Sequence, residues 1–203
     1  MKTKKIIVGE LLVLFLITTA LVITDNIYVI DETIYSGIIE LRSNLFDFIF
    51  KIITKAGNTI PVLCITVTGL LLIKDRKEQN KLGAAVVGTV LTNQALKHII
   101  QRARPDHLRL IKEKGFSYPS GHSMIAIALY GYLIYYVYKN VKNKYLKVTL
   151  MTLLILLIIG IGCSRIYLGV HYPSDILGGY SIALAILIVI IDWCEKHSRG
   201  NKK

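Results

Sequence analysis

The sequence predicts an all-α membrane protein, a bundle of six transmembrane helices with an amphipathic helix at the membrane interface between spans 1 and 2. Two observations predict this fold. Apolar stretches recur along a chain of 203 residues that is 53% hydrophobic, and a helix needs about 20 such residues to cross a bilayer. The lysines and arginines, 25 against 13 acidic residues, lie between those stretches. That distribution argues against a nucleic-acid-binding protein, to which so basic a soluble chain would more often belong.

Six apolar stretches are the candidate spans, at roughly residues 6–24, 57–73, 82–100, 121–138, 147–164 and 176–193. The first follows a basic start, MKTKK. It is longer than the apolar part of a secretory signal, and no small-residue cleavage site follows it. We therefore expect it to remain as a membrane anchor. Because no repeat or linker divides the chain, residues 1–203 are predicted to form a single domain.

The segment between the first two spans is predicted to lie at the membrane surface. Its apolar residues recur three and four positions apart, at Ile34, Ile38, Leu41, Leu45, Phe48 and Ile52. This is the period of a helix with one apolar face. Charged residues lie between them, namely Glu32, Glu40, Arg42, Asp47 and Lys51. The segment is therefore too polar to cross the bilayer, and an amphipathic interfacial helix is favoured.

The orientation follows from the basic residues, which accumulate on the cytoplasmic side of a membrane protein. The two tails and the connections at 74–81 and 139–147 are all basic, and six spans would place them on one side. Both termini are therefore predicted to be cytoplasmic. The connection between spans 3 and 4 then lies outside. It is nevertheless basic, with Arg102, Arg104, Arg109, Lys112 and Lys114, and we expect it to meet an anion.

A pair of cations marks the start of that connection. Lys97 and Arg104 are seven residues apart, close to two helical turns, so both would project from one face of a helix that ends at Pro105. An ammonium and a guanidinium together suit the oxygens of a phosphate. Taken alone, Lys97 could equally be a lysine whose amine extends to the lipid headgroups.

The sequence YPSGHS, residues 118–123, opens the fourth span. Ser120 is placed to cap the helix, and Gly121 lets a ligand approach the backbone. The free N–H groups at a helix start are a natural site for phosphate. His122 follows in the first turn. On this motif alone, a histidine that is simply hydrogen-bonded at an interface is the alternative.

A third polar motif, SRIYLGVHYPSD at 164–175, separates the last two spans. If Pro173 begins the sixth helix, Asp175 lies in its first turn and His171 just before it. A carboxylate four residues away can accept from one imidazole nitrogen and leave the other free as a nucleophile. Arg165 adds a positive charge at the end of the fifth span. The predicted topology brings all three motifs to the outer face.

The three motifs resemble those of the type 2 phosphatidic acid phosphatase family. They are K-x6-R-P from Lys97 to Pro105, P-S-G-H from Pro119 to His122, and S-R-x5-H-x3-D from Ser164 to Asp175. Their order, their internal spacing and the six predicted spans all agree with that family. The resemblance implies a lipid phosphatase whose substrate is a phosphorylated membrane lipid.

The resemblance also implies a role for each motif residue. His171 would attack phosphorus and form a phosphohistidine, Asp175 would orient it, and His122 would protonate the leaving oxygen and then activate water. The phosphoryl oxygens would be held by Lys97, Arg104, Ser120, Gly121 and Arg165. No metal or cofactor is expected. Asp175 is the sole carboxylate within the motifs, which leaves Mg²⁺ no acidic cluster to bind.

Other functions and several substrates stay open. A lipid transporter or flippase also suits six spans with intramembrane charge, although the charges gather at one interface here rather than along a path through the membrane. A vanadate-binding haloperoxidase shares the motifs but not the spans. Among lipids, we rank undecaprenyl diphosphate ahead of phosphatidylglycerophosphate. The predicted site faces outward, where the resemblance implies that cell-wall synthesis releases the diphosphate carrier, and Arg109, Lys112 and Lys114 could meet a second phosphate. Phosphatidate and diacylglycerol pyrophosphate also fit.

Overall fold

The computed structural model describes residues 2–200, with side chains as far as residue 196, and this part of the chain is all-helical. Its helices are α1 (Lys2–Ile23), α2 (Tyr28–Glu40), α3 (Asn44–Lys55), α4 (Thr59–Leu72), α5 (Arg76–Ile100), α6 (Gly121–Ala126), α7 (Tyr132–Asn140), α8 (Lys144–Tyr167) and α9 (Pro173–Gly200). A π-helical turn, Ile127–Gly131, joins α6 to α7. Met1 and residues 201–203 of the predicted domain, including the basic Lys202 and Lys203, lie outside the described residues.

Three helices are long and apolar enough to cross a bilayer: α1, α8 and α9. The pair α3 and α4 would make a fourth span if the two helices, bent by 45°, are counted as one. Each of the six predicted spans does coincide with helix. However, α4 has 14 residues, fewer than a span needs, and polar residues such as Asn93 and Gln94 interrupt α5. The apolar helices make the chain a membrane protein.

The segment between α1 and α4 is two helices, so the prediction of one continuous helix was wrong. The chain turns at 41–43 because Ser43, with extended backbone, caps α3 by accepting a hydrogen bond from the Phe46 N–H. Arg42 fixes the turn by donating from Nη2 to the Tyr167 carbonyl (2.8 Å). Most apolar side chains of the pattern, including Leu45 and Phe48, are exposed on the protein surface, whereas Ile38 is half-buried against the core around Tyr35.

The connection from α5 to α6, residues 101–120, is irregular and folds onto the ends of α8 and α9. Leu110 donates its N–H to the Leu168 carbonyl, and Ser120 donates its N–H to the Asp175 carbonyl, both at 3.0 Å. Helix α5 ends at Ile100, because Gln101 takes the left-handed conformation (φ 52°). The prediction of a helix running to Arg104 was therefore wrong, and Lys97 and Arg104 do not share a helix face.

Helix α9 is central to the bundle and packs against α1, α2, α5, α6 and the π-helical turn. Small residues let its first turns approach the α6 segment closely. A Cβ on Gly179 would lie 3.1 Å from the Ser120 carbonyl oxygen, and a Cβ on Gly178 would overlap the Tyr118 ring. As a result, the start of α6 with His122 and the start of α9 with Asp175 lie next to each other.

Candidate active site

A cavity of about 300 Å³ lies where the three sequence motifs meet. It is enclosed by the end of α5, the start of α6, the end of α8, and the loops before α6 and α9. Six of the eight predicted site residues line it, and they are Lys97, Arg104, Gly121, His122, Arg165 and His171. Asp175 lies directly behind His171. The structure thus gathers residues that are up to 74 positions apart (97 to 171) around a space the size of a small ligand.

His171 and Asp175 form a buried pair. The Nδ1 of His171 lies 3.1 Å from Oδ2 of Asp175, and neither side chain is exposed by more than 2%. Since the carboxylate only accepts when ionised, it selects the tautomer with the proton on Nδ1. Burial lowers the pKa of His171 to about 3, an effect larger than the opposing one of Asp175. His171 is therefore a neutral imidazole whose Nε2 keeps its lone pair.

The Asp175 carboxylate is held on every side. Its Oδ2 accepts from the Ser117 hydroxyl at 2.5 Å and from the Tyr172 N–H at 2.9 Å, in addition to His171. Its Oδ1 accepts from Nη1 of Arg102 at 2.7 Å. The sequence motifs did not indicate Ser117 and Arg102 as partners of this pair. Arg102 was one of five basic residues in the predicted connection between spans 3 and 4, and nothing in the sequence marked it as a partner of Asp175.

The other ring nitrogen of His171, Nε2, accepts a hydrogen bond from a guanidinium. Nη1 of Arg104 lies 3.0 Å from His171 Nε2 and 2.8 Å from the Val170 carbonyl, to which it donates. The other nitrogens of Arg104 donate to the carbonyls of Gly115 and Lys114. Burial lowers the pKa of Arg104, but a guanidinium stays charged at neutral pH. A positive group thus lies beside the atom at which a bond to phosphorus could form.

Arg165 is 1% exposed and reaches the cavity from the end of α8. It donates from Nη1 to the Thr54 hydroxyl (2.8 Å) and from Nη2 to the Glu113 carboxylate (2.5 Å). Its Nε is buried and finds no acceptor among the described residues. Glu113 lines the same cavity, so its carboxylate occupies one donor of Arg165 that another oxyanion could use. The motifs gave no sign of Glu113.

His122, in the first turn of α6, is fixed from the corner between α3 and α4. Its Nε2 lies 2.8 Å from Oδ1 of Asn58. The neighbouring Gly57 leaves room for the imidazole, since a Cβ at that position would come within 2.8 Å of His122 Cδ2. Asn58 and Gly57 belong to no motif. Only the folded structure shows their role, because Asn58 contacts His122, which lies 64 positions later in the chain.

The remaining predicted residues are Lys97, Ser120 and Gly121. The Nζ of Lys97 donates to the Phe116 carbonyl at the cavity wall. Ser120 caps α6 as predicted, with its hydroxyl 3.4 Å from the Ser123 N–H, but it is fully buried and its side chain does not line the cavity. Gly121 does line it. The start of α6 is therefore available through backbone rather than through the serine hydroxyl.

A second, larger cavity of about 1100 Å³ opens beside the first, between α4 and α5. Its walls are mainly aliphatic side chains of these two helices, including Val62, Val67 and Val86. His122, Gly121 and Glu113 line both cavities. From Asn58 to Leu70 this groove follows about 18 Å of helix α4. A molecule with a charged end and a long apolar end could therefore lie across the two cavities.

Comparisons with known proteins find relatives in both sequence and fold. The PAP2 superfamily matches residues 79–199. Phosphatidylglycerophosphatase B of Bacillus subtilis is 32% identical over 199 residues, which are 96% of this chain and 98% of that protein. The crystal structure of a transmembrane PAP2-type phosphatidylglycerolphosphate phosphatase from Bacillus subtilis superposes with a TM-score of 0.84 at 29% identity, covering 93% of this chain and 96% of the other. LpxE of Aquifex aeolicus shares the fold at 21% identity, with a TM-score of 0.68 over 80% and 95% of the two chains.

Proposed function

Since this chain belongs to the PAP2 superfamily and is a lipid phosphatase of that family, we propose that it hydrolyses a phosphate monoester or a pyrophosphate of a membrane lipid through a phosphohistidine on His171. One observation carries this mechanism. The Nδ1 of His171 is held by buried Asp175, while its Nε2 faces a cavity walled by Lys97, Arg104 and Arg165. A neutral nucleophile is thus oriented toward a positively charged space.

The first step forms a bond between His171 Nε2 and phosphorus as the bond to the lipid oxygen breaks. His122 in its protonated form gives its proton to that oxygen, which leaves as an alcohol from a monoester or as a lipid monophosphate from a diphosphate. A phosphate dianion in the cavity favours this protonated form. Asp175 stabilises the positive charge that His171 gains, as the carboxylate does in other nucleophile–orienter pairs.

The second step hydrolyses the phosphohistidine. His122, now neutral, takes a proton from water while the water oxygen attacks phosphorus. The P–N bond breaks, and inorganic phosphate and neutral His171 are released. Lys97, Arg104 and Arg165 neutralise the equatorial oxygens in both steps, which is the main requirement of phosphoryl transfer.

We propose phosphatidylglycerophosphate as the preferred substrate, ahead of undecaprenyl diphosphate. The relative that shares 32% identity is named for that activity, which reverses the order that the sequence alone suggested. Of Arg109, Lys112 and Lys114, which were expected to meet a second phosphate, Lys114 alone lines the cavity. Arg109 instead donates to the backbone carbonyls of Pro105 and Arg104. The apolar groove between α4 and α5 would take the lipid tails.

The same proposal includes six spans, with both termini in the cytoplasm and the active site at the outer face. In it, α4, α5 and the segment from α6 to α7 (Gly121–Asn140) cross the bilayer beside the three helices that are apolar enough to do so alone, and α3 continues the short α4 into the interface at the bend between them. The basic ends at 74–81 and 139–147 support this orientation. The exposed apolar side chains of α3 would insert into the outer interface.

The test is release of phosphate by the purified protein in mixed micelles with phosphatidylglycerophosphate or undecaprenyl diphosphate. The ratio of kcat/KM for the two lipids measures discrimination. We expect hydrolysis of both, with the higher value for phosphatidylglycerophosphate and no loss in EDTA. A flippase would release no phosphate, and oxidation of halide with vanadate would indicate a haloperoxidase instead. A higher kcat/KM for undecaprenyl diphosphate would contradict the order proposed here.

A further inference from the structure

A carboxylate outside the three motifs belongs to the hydrogen-bond network of His171. Asp31, on α2, accepts from Nη2 of Arg102 at 2.6 Å. It also accepts from the Ser174 N–H (2.9 Å) and the Ser174 hydroxyl (2.5 Å) at the start of α9. Asp31 is 1% exposed, and it lies outside residues 79–199, which match the PAP2 superfamily.

Arg102 bridges this carboxylate and the one that orients His171. Its Nη2 donates a hydrogen bond to Asp31. Its Nη1 donates to Oδ1 of Asp175 at 2.7 Å and to the Ser174 hydroxyl at 2.7 Å. Although burial would lower it, the two carboxylates raise the pKa of Arg102. The guanidinium is therefore shared, with one amino group for each carboxylate.

The sharing matters because Asp175 has two oxygens with different tasks. Oδ1 accepts a hydrogen bond from Arg102, and Oδ2 accepts one from His171 Nδ1. A guanidinium that faces one carboxylate tends to bind both of its oxygens in a fork. With Asp31 present, the second amino group of Arg102 is engaged elsewhere. Without it, that group could turn to Oδ2 and compete with the imidazole.

Helix α2 also fixes the plane of the guanidinium. The Cζ of Arg102 lies 4.6 Å from the ring centroid of Tyr172, in the cation–π range. Tyr172 in turn packs against Tyr35 and Tyr28 of α2, with ring centroids 5.7 Å and 6.2 Å apart. Both the anchor and the stacking surface that hold Arg102 thus depend on α2.

We infer that Asp31 and Arg102 are positioning residues for the nucleophile: Asp31 holds Arg102 to one oxygen of Asp175 and so leaves the other oxygen for His171. The inference rests on the proposed function, in which His171 attacks phosphorus. Neither side chain lines the cavity, so the pair acts on the rate of the chemical step and not on lipid binding.

The experiment compares kcat and KM of Asp31→Asn and Arg102→Lys with those of the wild type, using phosphatidylglycerophosphate in mixed micelles. We expect kcat to fall about 10- to 100-fold, the loss typical when a hydrogen-bond partner that orients a functional side chain is removed, with KM within about twofold. Glu32→Gln is the matched control, because Glu32 is the next residue of α2 and pairs with His107 instead. A kcat for Asp31→Asn within about twofold of that of Glu32→Gln would overturn the inference, and so would a loss confined to KM.

The double variant tests whether the two residues act through one route. A lysine at position 102 cannot bind a carboxylate in a fork. Asp31→Asn should therefore reduce kcat much less in the Arg102→Lys background than in the wild type, which is a departure from additivity. If the double variant lost kcat by the product of the two single losses, the residues would act independently, which would contradict the inference. Thermal unfolding in detergent identifies a variant that has merely lost its fold, and Arg102→Lys then still provides the kcat test.

A measurement without substrate separates this inference from the proposed function. Nitrogen NMR of histidine-labelled protein, with the signal assigned by His171→Ala, reports which ring nitrogen carries the proton. We expect the Nδ1–H tautomer in the wild type and in Glu32→Gln, and a mixture in Asp31→Asn. If the wild type hydrolysed no lipid phosphate, the proposed function would fail. The spectrum would still show whether Asp31 maintains the hydrogen bond between Asp175 and His171 Nδ1. An unchanged spectrum in Asp31→Asn would overturn the inference.

Discussion

At the scale of single residues, two histidines with different surroundings meet at one cavity. His171 is paired with a buried carboxylate, whereas His122 is paired with the neutral amide of Asn58. Different partners suit different tasks, because the ionised partner stabilises the positive charge that a nucleophilic nitrogen acquires. The amide oxygen of Asn58 orients the ring of His122 but places no charge beside it.

Replacement of either histidine should therefore stop turnover in a distinguishable way. We expect His171→Ala to abolish both phosphate release and any acid-labile phosphoenzyme. His122→Ala should lower turnover by about 10²- to 10⁴-fold, the usual contribution of a general acid–base group, and Asp175→Asn should lower it less than loss of His171 does. His107→Ala is the control, because that ring pairs with Glu32 outside the cavity. Full activity of His171→Ala would exclude the phosphohistidine.

The charge state of His171 gives a prediction on pH. Burial lowers its pKa to about 3, against an ordinary value of about 6.5. A lowered pKa means that the ring takes up a proton only at more acid pH. Its nitrogen NMR signal should therefore stay that of a neutral ring when the pH falls from about 7 to about 5. Titration of His171 near pH 6.5 would contradict this burial argument.

At the scale of elements, the residues of the candidate site lie at or near helix ends. The sequence predicted some of these ends correctly and others wrongly. The start of α9 at Pro173 and the cap of α6 at Ser120 follow from local residue preferences and were predicted correctly. The end of α5 depends on the left-handed Gln101, and the break before α3 on Ser43. Neither residue type forces a helix to end. The apolar period therefore ran past Ser43, and the spacing of Lys97 and Arg104 suggested a helix that ran past Gln101.

Contacts between distant segments set the other limit. Ser117, Asn58 and Asp31 meet the motif residues only after folding, across 54 to 143 positions in the chain. A short motif records the residues that touch the substrate in a fixed spacing. It cannot record partners whose distance along the chain depends on the path of whole helices. For that reason the sequence predicted many of the residues that line the cavity, but not the side chains that hold them in place.

The corner between α3 and α4 offers a test of one such support. Gly57→Ala would place a methyl group about 2.8 Å from His122 Cδ2, which is closer than real contacts allow. We expect kcat to fall at least about tenfold, since small displacements of a catalytic group are costly. Gly37→Ala is the control, because nothing lies within 4 Å of a Cβ there. Equal kcat values for the two variants would show that His122 tolerates the shift.

At the scale of the whole molecule, polar clusters lie at both ends of α5. Lys97 stands at the cavity, and the other end buries Glu78 and Lys81, which pair at 3.0 Å. Lys139 of α7 joins Glu78, and Tyr135 connects Lys81 with Glu195 of α9. Between the two clusters the surface is largely apolar. A bilayer that covers this apolar region would leave one cluster on each side.

The sidedness can be measured with single cysteines in a background without Cys64, Cys163 and Cys194. A cysteine at Asn80, in the basic end of α5, should resist impermeant thiol reagents in intact cells. One at Asp106, in the exposed part of the 101–120 connection, should react. The reverse pattern would place the active site on the cytoplasmic face.

In the proposed mechanism, Glu113 would help the product to leave. Its carboxylate lies 2.5 Å from Arg165 Nη2, so it would compete for this guanidinium with the phosphate ion that hydrolysis releases. Product inhibition should accordingly be weak. Glu113→Gln removes the charge but keeps the shape, and we expect inorganic phosphate and vanadate to inhibit it at several-fold lower concentrations than the wild type. Weaker inhibition of this variant would mean that Glu113 holds Arg165 ready for substrate instead.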